Sequence, residues 1–272
     1  MLEQNIVSME LTKEERQIQD EACAFMDANK EALIKQFILQ KNPLRLGVIT
    51  IFMAGSPGAG KTEFSQRYIP LSTTSLLQKG IDIESVDTFL IRIDVDEIRE
   101  FLPQYRKTDR TAGTKGNAHV IQKAANKGLG ILRDYCLSHE ISFLHDGTFA
   151  NYETMKDLVK KSLQQGRSVQ IYYLYLDPVV AWEFTKAREY LEGRNIVKDK
   201  FIEQYFKSRR NVDTIKQEFG GDIQLNCVLK NDKNEVLKIE FDIENVDKFI
   251  NLQYHEGVLK HYSLKHLHDT LT

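Results

Sequence analysis

Cysteine is scarce and carries no pattern: Cys23, Cys136 and Cys227 are far apart, odd in number and without C-x-x-C spacing, which argues against both a disulfide framework and a zinc site. They are expected to be free, buried thiols in a reducing compartment. An excess of either charge is also missing. The 37 Lys+Arg against 39 Asp+Glu give a formal net charge of −2, so no strong global field favours DNA, RNA or an anionic membrane. A nucleic-acid substrate is thereby disfavoured. No run approaches the roughly eighteen apolar residues of a membrane span, and Met1-Leu2-Glu3-Gln4-Asn5 lacks a basic region leading into an apolar one. A soluble, cytoplasmic protein is expected. Proline is sparse, and there is no Pro/Gly/Ser linker, low-complexity tract or internal repeat, so the 272 residues are read as a single domain. Within it, 1–45 is a helical N-terminal extension, 46–230 a core and 231–272 a C-terminal extension.

What is present is a pattern of alternating elements. Leu11 to Leu39 has no Gly or Pro and spaces Ile18, Ala22, Phe25, Met26, Leu33, Phe37 and Ile38 by threes and fours, predicting helix with a break near Asn29. Apolar runs at 47–53, 88–93, 141–145 and 168–176 predict strands. Helices are predicted over 61–68, 117–138, 152–165 and 179–191. This βα alternation predicts an α/β fold, a doubly wound, mostly parallel sheet with helices on both faces, whose strand ends meet at one edge. Beyond it come a helix at 199–219, a hairpin-like Asn231–Asn234 between apolar runs 223–229 and 236–241, and two short helices around 245–252 and 256–270.

The most informative motif follows the first strand. Gly55, Ser56, Pro57, Gly58, Ala59, Gly60, Lys61 and Thr62 spell G-x-x-x-x-G-K-[ST], directly after Val48-Ile49-Thr50-Ile51-Phe52-Met53 and before a predicted helix. In that context successive backbone N–H groups and a helix start converge on phosphate oxygens, predicting a bound nucleoside triphosphate in a P-loop NTPase fold. Lys61 is placed to reach the β- and γ-phosphates, and Thr62 to supply a hydroxyl to Mg²⁺.

Phosphoryl transfer to an alcohol needs a carboxylate beside the γ-phosphate. Asp94 and Asp96 end the second predicted strand and share a face if the strand persists that far. Asp96 is favoured as the base and Asp94 as an acceptor contact, while a helix beginning there would make one of them a cap. Asp146, after the strand 141–145, is placed to hold Mg²⁺ directly or through water, or else to serve as a turn residue before Gly147. His145 is read as a filler of a half-buried strand. Arg188 and Arg194 lie where small kinases carry a mobile cover, with Gly193 as its bend, although basic residues also suit a helix C-terminus. Lys107, Arg110, Lys115 and His119 flank a Gly-containing loop suited to an anionic acceptor. Arg209 and Arg210 read as a solvated helix face.

With these residues in place, the sequence resembles the zeta-toxin family of P-loop kinases, the toxic half of epsilon/zeta toxin–antitoxin systems. Four features bear the likeness from the N-terminal helix to about Leu229. They are the loop G-S-P-G-A-G-K-T, I-D-V-D at Ile93 to Asp96 with Pro103 following, D-G-T at Asp146 to Thr148, and the pair Arg188 and Arg194. The resemblance implies ATP/Mg²⁺-dependent phosphorylation of the 3′-hydroxyl of a UDP-N-acetyl amino sugar, and a proteinaceous antitoxin that blocks the ATP site. It matches Lys61 and Thr62 to phosphate and Mg²⁺ contacts, Asp96 to the base, and Arg188 and Arg194 to the lid; Thr148 becomes a candidate acceptor contact. Val95 and Asp146 depart from the Asn and Glu common in the family, and Lys127-Gly-Leu-Gly130 stands where an acceptor-binding acid is expected. Other readings of the same motifs are an ATPase switch acting through a protein partner and a kinase of another nucleotide or of a nucleic-acid end.

Overall fold

The computed structural model describes residues 11–43, 48–67, 90–106, 116–192, 196–255, 257 and 259–271. The chain opens with α1 (Lys13–Ala28) and α2 (Lys30–Phe37). Thr12 starts α1 by accepting from the Glu15 amide at 3.2 Å while its own N–H donates to Glu15 Oε2 at 2.8 Å, a reciprocal cap. Asn29 ends it, donating from its side chain to the Phe25 carbonyl at 2.8 Å, so the predicted break falls where expected.

The core elements follow in the predicted alternation: β1 (Ile49–Ala54), α3 (Lys61–Arg67), β2 (Ile91–Asp94), α4 (Val95–Phe101), α5 (Ala118–Ser138), β3 (Phe143–Asp146), α6 (Tyr152–Gln164), β4 (Ser168–Tyr175) and α7 (Pro178–Glu192). Then come α8 (Lys198–Phe219), β5 (Ile223–Lys230), β6 (Val236–Glu240), α9 (Val246–His255) and α10 (Leu264–Thr270). One difference matters for the site. The second strand stops at Asp94 and a helix starts at Val95, because the Asp94 carboxylate accepts from the Asp96 amide at 2.9 Å and caps the new helix.

The strands form one six-stranded sheet in the order β2-β3-β1-β4-β5-β6. The first five are parallel and β6 returns antiparallel to β5. The expected boundary after residue 230 therefore falls inside a hairpin of that sheet. β1, β3 and β4 are buried at almost every position, as strands covered on both faces must be. Chain order reverses about β1, with β3 and β2 on one side and β4 and β5 on the other; ligands of open α/β sheets bind at the strand ends beside such a point. Asp94 and Asp146 are direct register partners at those ends.

The N-terminal helices pack on α5 through Ala22, Met26 and Leu33, all fully buried. Gly128 lets α1 and α4 approach α5: a Cβ there would lie 2.8 Å from both Ile98 Cγ2 and Met26 Cε. That contact gives Gly128 a packing role. At the opposite end of the sheet, buried Arg167 donates to Thr50 Oγ1 at 2.8 Å and to the carbonyls of Ile49 at 3.1 Å and Ile141 at 2.6 Å. Cys136 and Cys227 are buried free thiols and Cys23 is half-buried. Among the described residues no helix is long and apolar enough to cross a membrane.

Candidate active site

The loop between β1 and α3 is held from several sides. The Gly55 amide donates to Ser208 Oγ of α8 at 2.8 Å. Gly58 has φ +72°, and a Cβ there would come within 2.1 Å of the Ala181 carbonyl of α7, so only glycine lets the loop lie against that helix. Lys61 Nζ donates to the carbonyls of Ser56 at 2.7 Å and Gly55 at 3.3 Å, which keeps its ammonium at the mouth of the loop. Burial pushes the Lys61 ammonium down to about 8 and the charge of Arg188 adds to this, while Asp146, Glu63 and Asp94 oppose it. The exposed Arg188 of α7 is thus near enough for its charge to be felt by the loop lysine.

Across the sheet edge lie the acids. Thr62, in the first turn of α3, donates from its hydroxyl to Asp146 Oδ2 at 3.1 Å, which joins the two predicted metal ligands. Arg92 of β2 donates to the same oxygen from Nε at 3.2 Å and from Nη2 at 3.0 Å, and also pairs with Asp94 and Glu97. Burial raises the Asp94 carboxyl to about 6, with Asp146 and Asp96 adding to the shift and Arg92 resisting it. Asp94 therefore combines three tasks: it caps α4, pairs with Arg92 and lies beside Asp146. Asp96 sits in the first turn of α4, half-buried, and pairs with Arg99, which reaches on to Gln122 of α5. Its placement beside Asp94 comes from the cap: a strand continuing through Asp96 would have sent the chain onward along the sheet instead of turning it into a helix.

After β3 the chain is anchored by Asn211 Nδ2, which donates to the carbonyls of Phe149 at 3.1 Å and Ala150 at 2.9 Å. Thr148 is half-buried in this turn and its carbonyl faces the Gly55 amide at 3.4 Å. His145 packs its ring edge-on to Phe52 at 6.2 Å between centroids, and burial drives it down to about 3, so it stays neutral as a core residue. The His119 ring pairs with Glu15 of α1 at 3.1 Å. Lys107, Arg110, Lys115, Gly193 and Arg194 lie outside the described residues. Arg209 corrects the expectation of a solvated face, since its side chain is mostly buried and pairs with Asp247 of α9; Arg210 is exposed.

Arg92, Arg99 and Ser208 escaped sequence reasoning. Arg92 was accessible to it, because residues two apart on a strand share a face and Arg92 stands two before Asp94. Arg99 follows Asp96 by three and so faces it along the helix. Ser208 gave no signal, since only the fold brings α8 under the loop.

Comparison with known proteins places the fold and the family. No curated protein matches the chain significantly. Among solved structures, one described as the PezAT chromosomal toxin–antitoxin system of Streptococcus pneumoniae is 15% identical, covers 97% of this chain and 89% of its own, and superposes with a TM-score of 0.51. An AvrRxo1-ORF1:AvrRxo1-ORF2 structure with sulphate ions is 13% identical over 88% of this chain and 72% of its own, at a TM-score of 0.55. A related AvrRxo1 complex with ATP gives 11% identity over 88% and 72%, at 0.53. At these identities the likeness is one of fold. The family profile described as Zeta toxin matches residues 38–242, from the end of α2 to just past β6, and so takes in the phosphate loop, Asp94, Asp96 and Asp146: the chain belongs to the zeta toxin family.

Proposed function

We propose that this chain is an ATP/Mg²⁺-dependent kinase that phosphorylates a hydroxyl of a small acceptor and acts as the toxin of a toxin–antitoxin pair. The observation that carries the reading is the convergence of the loop, through Thr62, with the acids at the ends of β2 and β3. A phosphate loop alone suits any NTPase, whereas a half-buried carboxylate at the same edge gives an acceptor hydroxyl somewhere to send its proton.

In this reading the loop amides and Lys61 bind the triphosphate, and Arg188, with Arg194, steadies charge on the γ-phosphate. Asp96 orients the acceptor hydroxyl and takes its proton, and Arg99 holds that carboxylate in place. Mg²⁺ fits the donor set present. The Thr62 hydroxyl and the Asp146 carboxylate are hard oxygens 3.1 Å apart, the ligand type this ion takes alongside phosphate oxygens and water. Among the described residues no group of three or more His, Cys, Asp or Glu side chains forms a metal cage, which suits an ion delivered with its nucleotide. When bound, the ion would supply positive charge against the phosphates. Thr62 and Asp146 would hold it, and Arg92 offsets part of the repulsion between Asp146 and Asp94.

The acceptor proposed first is the 3′-hydroxyl of a UDP-N-acetyl amino sugar, with Asp94 and Thr148 as nearby contacts, on the strength of family membership. A protein antitoxin is proposed on the same ground and on the toxin–antitoxin description of the S. pneumoniae neighbour. Purified chain with ATP, Mg²⁺ and UDP-N-acetylglucosamine should yield a phosphorylated sugar nucleotide detectable by mass spectrometry. Consumption of ATP without such a product, across sugar nucleotides, would reject the acceptor class.

A further inference from the structure

Behind the phosphate loop, on the side away from the acids, lies a lysine that the kinase reading leaves unused. Lys230 is the last residue of β5 and is 4% exposed. Its ammonium donates to the carbonyls of Ala59 and Gly60, both at 3.3 Å. It arrives there because the β5–β6 pairing slips between Leu229 and Lys230: Leu229 faces Lys238 whereas Lys230 faces Val236. Such a bulge re-aims a side chain. The hairpin tip is itself firmly closed, with Asn231 Oδ1 accepting from the Lys233 amide at 3.0 Å and the Glu235 amide at 2.8 Å, and the Asn231 N–H meeting the Glu235 carbonyl at 2.9 Å.

The two carbonyls determine where the loop amides point. In a trans peptide C=O and N–H are antiparallel, so a cation that holds the Ala59 and Gly60 oxygens on one side turns the Gly60 and Lys61 N–H groups to the other. Those two amides lie at the helix start, where phosphate binds in loops of this type. Bonding at a carbonyl also polarises its peptide and strengthens the N–H as a donor. Gly60 is shaped to this contact: its φ is +70°, and a Cβ would lie 2.3 Å from Lys230 Nζ and 2.4 Å from Asn234 Oδ1.

We propose that Lys230 is a positioning residue of the nucleotide site, holding the Gly60 and Lys61 amides toward phosphate from behind, and that the β5–β6 hairpin is thereby a working part of that site. The inference rests on the reading that the loop binds ATP. Burial lowers the Lys230 ammonium to about 8, with only Glu63 of α3 opposing, so the protein keeps a charge here at a cost that the core packing does not explain.

The test uses the full chain, with ATP and Mg²⁺ as the probe. Lys230→Met keeps the apolar stem and removes the donor. It should weaken ATP binding about tenfold by calorimetry, the scale of a lost charge-assisted hydrogen bond. KM for ATP should rise with it, while kcat and the KM for acceptor stay within about twofold, and Lys230→Arg should recover most of the affinity. If Lys230→Met does not fold, Lys230→Gln, a shorter neutral donor, decides in its place, with an intermediate affinity expected. Unchanged ATP affinity in the neutral variants, or equal losses in kcat and in both KM values, would overturn the proposal. If the wild-type chain binds no ATP, the nucleotide reading falls and takes this one with it; if wild type binds and Lys230→Met binds equally, only the role of Lys230 falls.

Discussion

Replacing Asp96 by Asn separates its role, in the first turn of α4, from that of Asp94 at the end of β2. Asp96 has a half-buried side chain, 27% exposed and so open to solvent, and it pairs with Arg99. Asn keeps a carbonyl oxygen for that arginine and preserves the shape of α4. Alanine would do worse, since Arg99 Nε has no partner among the described residues and its Nη1 would lose one. What Asn cannot do is take a proton. A positioned general base contributes roughly 10²–10⁴ in rate, about 2.7–5.5 kcal/mol of barrier, and kcat in Asp96→Asn should fall by that factor. The KM for ATP should hold, because Asp96 makes none of the phosphate-loop contacts described. Asp94→Asn is the control: Asn caps helices about as well as Asp, and the substitution relieves repulsion with Asp146, so kcat should fall at least about tenfold less. Initial rates of phosphoryl transfer, measured by coupled ADP release with an acceptor-free blank, give both numbers. An Asp96→Asn enzyme within about threefold of wild type, or an Asp94→Asn enzyme more damaged than it, would refute the assignment of the base.

Two further outcomes follow from the geometry. Lys61 is held down to about 8 from its ordinary 10.5, so its charge is fully present below that pH and is lost as pH rises through it. ATP affinity should therefore be level up to about pH 7 and weaken above about 8, more steeply in wild type than in Lys61→Met; a calorimetric Kd flat from about pH 7 to 9.5 would contradict the burial of this ammonium. Gly128→Val should destabilise the chain by about 1–3 kcal/mol through collision with Ile98 and Met26, lowering Tm by at least about 2 °C, and a variant melting with wild type would show that α1 and α4 do not pack on α5 so closely.

Much of this was legible in the sequence because the signals were local. The phosphate loop announces itself by an eight-residue spelling after an apolar strand, and the helix break at Asn29 by the residue type. Period and punctuation located the five parallel strands to within a few residues. The end of β2 was harder. Ile93-Asp94-Val95-Asp96 suits a continuing strand as well as a cap, and the choice was made by a hydrogen bond from Asp94 to the Asp96 amide that no periodicity encodes. Arg209 failed for a different reason: its charge suggested solvent, but α9 packs over it and brings Asp247 as a partner from 38 residues away in sequence. Lys230 is the clearest case of what stays hidden. Alone it is one lysine at the end of an apolar run, and only the bulge in β5–β6 turns it beneath the phosphate loop.

The most direct test of the central claim is a product measurement. Full-length chain, ATP, Mg²⁺ and UDP-N-acetylglucosamine are incubated together, and the sugar nucleotide is analysed by mass spectrometry and by NMR for the site of substitution, with Asp96→Asn in parallel. The account predicts one added phosphoryl group on a sugar hydroxyl in the wild-type reaction and only a trace of it with the variant. ATP converted to ADP and inorganic phosphate at equal rates by both proteins, with no acceptor modified, would contradict it.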